Sequence, residues 1–222
     1  KYVIDGDTVV LSDKRHVRLL GINTPEVDGR RAAEPGGKSA KNWLKTQLEG
    51  RQVSLEADQQ EFDSYGRSLF YVFDSEGRLI NEQLLAEGLA MLSIYPPNLK
   101  YVPRLRLAQQ RAEAQGLGIW NMSAYRSQKL AQLMRSKNNG WQRVIVTPLA
   151  VKKSGKYARI ILSPAADIRI AKQNLRHFSK LNNYLHCEME VRGWVSWRKG
   201  QASILVRHPS ALVIKDSNQC AE

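Results

Sequence analysis

An apolar run with one arginine inside it and a polar end occupies residues 17–26: Val17-Arg18-Leu19-Leu20-Gly21-Ile22-Asn23-Thr24-Pro25-Glu26. Apolar residues that lead into a polar, proline-containing segment are typical of a strand followed by a loop. A guanidinium inside an apolar strand is costly unless it meets an anion, so Arg18 predicts a carboxylate or a bound anion nearby. A structural salt bridge would satisfy this demand as well as a substrate phosphate would.

A short acidic turn, Ile4-Asp5-Gly6-Asp7-Thr8, precedes this run. Asp5 and Asp7 are alternate residues, so their side chains point the same way, and the glycine between them permits a tight turn. Two carboxylates with amide and carbonyl oxygens nearby suit a hard divalent cation. An ordinary acidic surface turn would have the same sequence, so this motif alone leaves both interpretations open.

A glycine turn farther along the chain, Asp63-Ser64-Tyr65-Gly66-Arg67, supplies an aromatic ring and a second arginine. Two arginines, several carboxylates and a set of metal-binding oxygens are the components of a phosphoryl-transfer site. The two cysteines, Cys187 and Cys220, and the four scattered histidines lack zinc-site spacing, which argues against zinc and against thiol catalysis. Cys187 and Cys220 could form a disulfide in an exported protein.

The first half of the chain, residues 1–122, predicts strands with interleaved helices. This order indicates an α+β domain around a small barrel. The expected strands lie within residues 1–22 and at 52–57 and 68–74, and the expected helices lie at 39–48, 80–88 and 104–116.

The second half predicts a different organisation. Residues 123–140 are expected to form a helical connector with a helix over 123–137, residues 141–216 a second domain, and residues 217–222 a tail. Strands are expected at 144–151, 156–162, 167–171, 188–197 and 201–214, with a short helix near 173–181. Five strands with a helix after the third are the order of an OB-fold barrel, although other small β folds could match it.

The positive charge lies entirely in that second half. Residues 1–122 hold 16 Lys and Arg against 16 Asp and Glu, whereas residues 123–222 hold 18 against 5, which accounts for the whole net charge of +13. Such an excess in one segment favours an anionic partner over simple solubility.

A hairpin in the second domain offers candidate nucleic-acid contacts. If Lys199-Gly200 is its turn, Trp194 faces Leu205 and Arg192 faces Arg207. Paired arginines repel unless something negative lies between them, and a tryptophan beside them could stack on a base. The candidate substrate contacts are Arg192, Trp194, Arg207, Lys152 and Lys153. Trp194 could instead pack against the first domain or the connector.

The three motifs at residues 4–8, 17–26 and 63–67 resemble the staphylococcal nuclease family in content, order and spacing. The likeness continues through residues 81–90 and 95–98 and ends near Trp120. It implies a five-stranded OB-type β-barrel with three helices, so the whole chain is expected to be α+β, with a second, mainly β OB-fold-like barrel behind the first. The implied activity is calcium-dependent hydrolysis of DNA, with RNA left open, to 3′-phosphate products. Low sequence specificity is expected because no segment has the pattern of a base-reading helix or zinc module.

The resemblance also implies roles for individual residues. Arg18 and Arg67 would hold the scissile phosphate, and Glu26 would be the general base. Calcium would be bound by Asp7, Asn23 and the Thr24 carbonyl, with Asp5 acting through water; Tyr65 and Tyr95 would contact the substrate. Asn23 departs from the aspartate of the best-known members, so we expect weaker calcium binding or an altered metal preference.

Two rival functions remain at this stage. A nucleic-acid-binding scaffold with a silent nuclease fold would have no need of Arg18, Glu26 and Arg67 together. The basic domain could instead be a protein-interaction or envelope-anchoring module. The resemblance leads us to expect a periplasmic or secreted protein, with any signal peptide lying before Lys1; no apolar run reaches the length of a membrane span, and no protein partner is implied.

Overall fold

A computed structural model describes residues 2–27 and 33–215. The chain divides into two compact units, Lys1–Ala124 and Tyr125–Glu222. Within the described residues the longest helix has 14 residues, and none combines the length and apolar character that crossing a membrane requires.

The first unit is built on a five-stranded sheet, a separate two-stranded sheet and three helices. The five-stranded sheet contains β1 (Tyr2–Val3), β2 (Thr8–Val10), β3 (His16–Leu19), β5 (Ser54–Glu56) and β6 (Ser68–Phe73), and the two-stranded sheet contains β4 (Ile22–Asn23) and β7 (Met91–Leu92). The helices are α1 (Gly37–Leu48), α2 (Ile80–Ala86) and α3 (Val102–Gln115). The sheet order is β1-β2-β3-β6-β5, with β3 and β6 parallel. A three-stranded meander whose third strand pairs in parallel with the last is the OB arrangement, which confirms the predicted fold class.

Alternation along β3 shows how the sequence directs this barrel. Val17 and Leu19 are buried in the core, whereas His16 is exposed and Arg18 is partly buried on the other face. This period of two follows from the pleat of a strand. Asn81, fully buried on α2, joins the layers: its Oδ1 accepts from the Val72 amide at 2.9 Å, and its Nδ2 donates to the Leu20 carbonyl at 2.8 Å.

The second unit is mainly β. Its elements are β8 (Gln128–Lys129), α4 (Leu130–Ser136), β9 (Gly140–Val146), β10 (Ala150–Ser154), β11 (Tyr157–Ser163), β12 (Ala166–Ala171), β13 (Met189–Arg198), β14 (Gln201–Val206) and β15 (Leu212–Ile214). Strands β10, β11 and β12 form a meander, β12 pairs in parallel with β14, and the path continues through β13 to β9. If β9 and β10 are counted as two halves of one bent first strand, and β11, β12, β13 and β14 as the second to fifth strands, the sheet order is 1-2-3-5-4-1. The second sheet is therefore OB-like, as predicted.

Several predicted boundaries were wrong. The helix expected over residues 123–137 is a 3-10 turn (Ser123–Tyr125), the short strand β8 and then α4, because β8 pairs in parallel with β9 and this tertiary pairing overrides helix propensity. The strand expected over 144–151 breaks at Pro148, which has no backbone N–H to continue a ladder. The helix expected near residue 173 consists of two 3-10 segments, Lys172–His177 and Leu181–Tyr184.

Candidate active site

Asp7 is the centre of the candidate site in the first unit. Its side chain is 7% exposed and forms an ion pair with Arg18, Nη2 to Oδ2, at 2.9 Å. The same Oδ2 accepts from the Thr24 amide at 2.8 Å, and Oδ1 accepts from the Thr8 hydroxyl at 3.1 Å. The carboxylate therefore ties β2, β3 and the loop after β4 to one point.

Arg18 lies where its chain position predicts, with its guanidinium against a carboxylate. Besides Asp7, it donates to the Asn23 amide oxygen at 3.1 Å and to the Leu19 carbonyl at 2.9 Å. The anion demanded by an arginine in an apolar strand is thus supplied by the protein itself. Because the guanidinium contacts both Asp7 and Asn23, it lies directly beside the oxygens that the sequence marks as metal ligands.

The oxygen atoms around Asp7 form a mixed set of candidate metal ligands. Asp5 accepts from the Asp7 amide at 3.0 Å, so two carboxylates, the Asn23 amide and the Thr24 carbonyl belong to one local network. Burial raises the pKa of Asp5 to about 6, and the negative charge of Asp7 adds to the rise. Hard cations take such mixed carboxylate, amide and carbonyl oxygens. No group of three or more His, Cys, Asp or Glu suited to a metal occurs in residues 2–27 and 33–215, so a metal bound here would also need neutral oxygens as ligands.

Arg67 reaches the same cluster from a different part of the chain. Its Nε is paired with Asp63 at 2.8 Å, its amide donates to Asp63 at 3.0 Å, and its Nη1 lies 3.5 Å from the Thr8 hydroxyl. Thr8 in turn contacts Asp7, so the two arginines lie on either side of one Thr8–Asp7 unit. Burial raises the pKa of Asp63, but hydrogen bonds from Arg67 and Tyr65 outweigh it and hold that pKa below its usual range.

Thr8 and Asp63 are positioning residues that the sequence interpretation did not assign. Thr8 is part of the acidic turn, and Asp63 precedes Arg67 by four residues in the glycine turn. The signal for Asp63 was present, because an aspartate at the start of a glycine turn commonly accepts the backbone amides of that turn.

Glu26 is held in place through its backbone. Its amide donates to the Glu34 carboxylate at 3.1 Å, and the Glu34 amide donates back to the Glu26 carbonyl at 2.8 Å. A Cβ at Gly37 would lie 2.4 Å from the Glu26 carbonyl oxygen, so only glycine permits α1 to begin this close to the loop. The partly buried Glu26 side chain therefore projects from a segment supported on both sides.

The two candidate substrate tyrosines are both exposed. Tyr65 is 84% exposed, and the Arg67 guanidinium lies 5.6 Å from its ring centroid. Tyr95 follows β7, which pairs with β4 through Met91 and Asn23. Tyr65 and Arg67 also line an open groove of about 570 Å³, whose other walls include Phe62 and residues 14–16.

In the second unit the structure departs from the predicted hairpin contacts. Trp194 pairs with Leu205 and Arg198 with Gln201, as expected, but that ladder goes no farther toward Arg192. Arg192 pairs instead with Arg143 of β9. The anion expected between two facing arginines is Glu190, which is fully buried and lies 2.7 Å from Arg192 and 3.0 Å from Arg143.

These contacts remove Arg192 from the exposed surface. Its side chain is 11% exposed, so it is engaged inside the protein and is poorly placed for a phosphate. The alternation along β13 predicted correctly that Glu190 lies on the outward face. That part of the face is covered by the segment before β8, because the Ser127 hydroxyl donates to Glu190 and the Tyr125 carbonyl accepts from Arg143.

The other candidate contacts of the second unit are distributed over two regions. Lys152 and Lys153 are exposed on β10. Trp194 is half-buried opposite Trp141 of β9, and Arg207 is half-buried just after β14. Cys187 is fully buried, whereas Cys220, and with it the predicted disulfide, lies outside the described residues.

Comparison with known proteins supports the architecture of the first unit. Residues 16–122 match the family described as Staphylococcal nuclease homologue. The chain is 42% identical over 125 residues to a thermonuclease of Staphylococcus intermedius, covering 54% of this chain and 73% of that protein. It is 40% identical over 123 residues to a thermonuclease of Staphylococcus hyicus (54% and 72%), and 38% identical over 128 residues to the endonuclease YncB of Bacillus subtilis strain 168 (55% and 60%). The chain therefore belongs to the staphylococcal nuclease family.

Proposed function

We propose that this nuclease is a calcium-dependent phosphodiesterase that cuts DNA with low sequence specificity, as an endo- and exonuclease, and leaves 3′-phosphate ends. RNA is a second substrate class left open. The observation that carries the proposal is that Arg18 and Arg67, both inside the matched region, share one Thr8–Asp7 unit. Two fixed cations beside a set of carboxylate and neutral oxygens can bind a phosphodiester and stabilise its developing charge.

The proposed calcium ligands are Asp7, the Asn23 amide oxygen and the Thr24 carbonyl, with Asp5 acting through water. A bound calcium ion would neutralise phosphate charge and help to orient the reacting groups. The support for this assignment is that these oxygens already belong to one hydrogen-bonded network.

The chain's own residues would carry the chemical step. Arg18 and Arg67 would hold the non-bridging phosphate oxygens, and Glu26 would take a proton from the attacking water. A bond forms between the water oxygen and phosphorus, and the bond from phosphorus to the 5′ oxygen breaks. The leaving oxygen takes a proton from solvent and becomes a 5′-hydroxyl, Glu26 returns its proton to solvent, and the phosphate stays on the 3′ side.

Substrate binding would extend beyond the reacting phosphate. The exposed rings of Tyr65 and Tyr95 are suited to contact with the substrate at the edge of the candidate site. The basic second unit would add sequence-independent attraction through Lys152 and Lys153, with Trp194 and Arg207 as weaker candidates because they are half-buried. The structure gives no support to the same role for Arg192. Export to a calcium-rich compartment would suit this activity.

The test is cleavage of single- and double-stranded DNA in calcium, in magnesium and in EDTA. Glu26→Gln and Arg67→Ala should each reduce the calcium-dependent rate by roughly 10²–10³-fold, because each removes a group that acts on the reacting atoms. Mass spectrometry of the fragments should show 3′-phosphate and 5′-hydroxyl ends.

The chain contains a matched control for Arg67. A second turn of the same pattern, Asp74-Ser75-Glu76-Gly77-Arg78, also pairs its arginine Nε with its aspartate at 2.8 Å, but Arg78 contacts Glu76 instead of Thr8. Arg78→Ala should leave cleavage unchanged. Equal activity of the Arg67→Ala and Arg78→Ala proteins would overturn the assignment, and DNA binding without cleavage in any metal would favour a silent scaffold.

A further inference from the structure

The outward face of the second barrel carries a continuous row of side chains that crosses six strands. Strand pairing places Lys152 of β10 beside Arg159 of β11, and Arg159 beside Arg169 of β12. The row continues through Leu205 on β14 to the Trp194–Trp141 pair. These positions are outward because Ala158, Ile160, Ile168 and Ile170, which alternate with them, are buried in the core.

The cations of this row are only partly neutralised. Arg159 is paired with Asp167, a carboxylate of the neighbouring strand. Arg169 has no carboxylate partner among the residues that the structure describes: its Nη2 donates to the Ser196 hydroxyl at 2.9 Å, and its buried Nε meets no acceptor there. The Arg169 side chain is partly exposed, so its guanidinium presents a positive charge that an anionic ligand could neutralise. Lys152 is exposed and forms no ion pair within residues 2–27 and 33–215.

An aromatic ring lies next to these cations. Tyr157 projects from the same face of β11, and the Arg169 guanidinium lies 5.7 Å from its ring centroid. The partly exposed ring and the planar guanidinium form a platform on which an unpaired base could stack.

Two basic turns lie at opposite ends of this face. The turn between β10 and β11 carries exposed Lys156 and lies next to Ala171, the last residue of β12. The turn between β13 and β14 carries exposed Lys199 and lies near Ala166, the first residue of β12. In OB barrels, these two turns and the faces of the second and third strands are where oligonucleotides bind.

We propose that Lys152, Tyr157, Arg159 and Arg169, here called the basic face, bind single-stranded nucleic acid that runs across β10, β11 and β12. This inference deepens the proposed nuclease function, on which it rests for the identity of the anionic partner. The three strands span about 10 Å, enough for one or two nucleotides, and the full six-strand row extends this path to about 24 Å. The platform needs unstacked bases, so a single strand is favoured over a duplex.

The binding test uses the full chain in EDTA, so that no cleavage occurs, with a fluorescein-labelled 16-nucleotide single strand and the matching duplex. Arg169→Gln should weaken single-strand binding. It should also reduce the slope of log affinity against log salt concentration by about 0.7, the value for one lost phosphate contact. Tyr157→Leu should weaken binding roughly fivefold or more, whereas Tyr157→Phe, which keeps the ring, should not. The matched control for charge is Arg135→Gln, an exposed arginine on α4, away from the basic face.

Three results would overturn the proposal. The first is equal single-strand affinity and salt dependence of the Arg169→Gln and Arg135→Gln proteins. The second is a duplex that binds as tightly as the single strand with the same dependence on Arg169, and the third is competition by dextran sulfate as strong as that by DNA at equal charge. Cleavage of a dinucleotide in calcium, measured separately, tests the nuclease proposal. A chain that binds single strands through Arg169 and cannot cut the dinucleotide would defeat only the nuclease proposal.

Discussion

At the scale of single residues, Asp7 organises the candidate site because its two oxygens serve three partners at once. Arg18 and the Thr24 amide share Oδ2, and Thr8 uses Oδ1. The sequence predicted Asp7 as a metal ligand and Arg18 as a phosphate contact, and the structure places the two in direct contact. Arg18 therefore serves as the local counter-charge of Asp7, in addition to its proposed role toward substrate.

Asn23 offers a direct test of the metal assignment. Replacing Asn23 by Asp would add a negative charge to the proposed ligand set, so the calcium concentration for half-maximal cleavage should fall. Calcium titrations monitored by calorimetry and by the cleavage rate would measure this change in calcium requirement. The control is Asn42→Asp, an exposed position on α1 that adds the same charge elsewhere. Equal calcium requirements in the two variants would contradict the assignment of Asn23 as a ligand.

At the scale of elements, both units use the same strand order, and in the second unit part of the outward face is covered. In the second unit, the segment around Ser127 covers the part of the face formed by β9 and β13, and Glu190 is buried there with Arg143 and Arg192. Burial raises the pKa of Glu190, but the two arginines and the Ser127 hydroxyl outweigh it, so the pKa falls to about 2.

Glu190 should therefore stabilise the folded protein in a defined pH range. Because its folded pKa lies below its unfolded value, its contribution is complete above about pH 4.5 and is lost as the pH falls toward 2. Glu190→Gln should lower the free energy of unfolding at pH 7 by roughly 3–5 kcal/mol, since it removes the buried negative charge that both guanidiniums contact. Its difference from the wild type should shrink as the pH falls from 4.5.

Urea unfolding monitored by hydrogen exchange in peptides from β13 would measure the stability of this unit within the full chain. Glu188→Gln is the matched control, because Glu188 is exposed two residues earlier on the chain. A Glu190→Gln protein as stable as the Glu188→Gln protein at pH 7 would show that the buried cluster contributes no net stability.

At the scale of the whole molecule, charge is divided between a neutral first part and a strongly basic second part. Binding of a single strand by the full chain should therefore weaken steeply with salt. If four phosphates are contacted, affinity should fall roughly 50-fold between about 50 and about 200 mM NaCl. Fluorescence anisotropy in EDTA would measure the slope. A flat salt dependence would favour a protein-interaction role for the basic part.

The first unit could be predicted well because its signals are local. Alternating apolar residues and glycine turns act over a few residues and predicted the strands and helices, and the OB-type barrel that the resemblance implied was confirmed. The hairpin register from Trp194 to Gln201 was also correct, since a two-residue turn fixes pairing close to itself. The broken segment after residue 123 was wrong because its short strand exists only through pairing with β9.

The sequence by itself determined the strands and helices of the first unit, the D-G-D and D-S-Y-G-R turns, and the location of the positive charge, because period, turn chemistry and charge are properties of neighbouring residues. Only the tertiary structure decided that Arg192 is engaged by buried Glu190, that Thr8 links the two candidate catalytic arginines, and that Arg169 lies on an outward basic row. Whether a polar side chain is buried or exposed depends on which distant segment packs over it, and this is information that no local pattern contains.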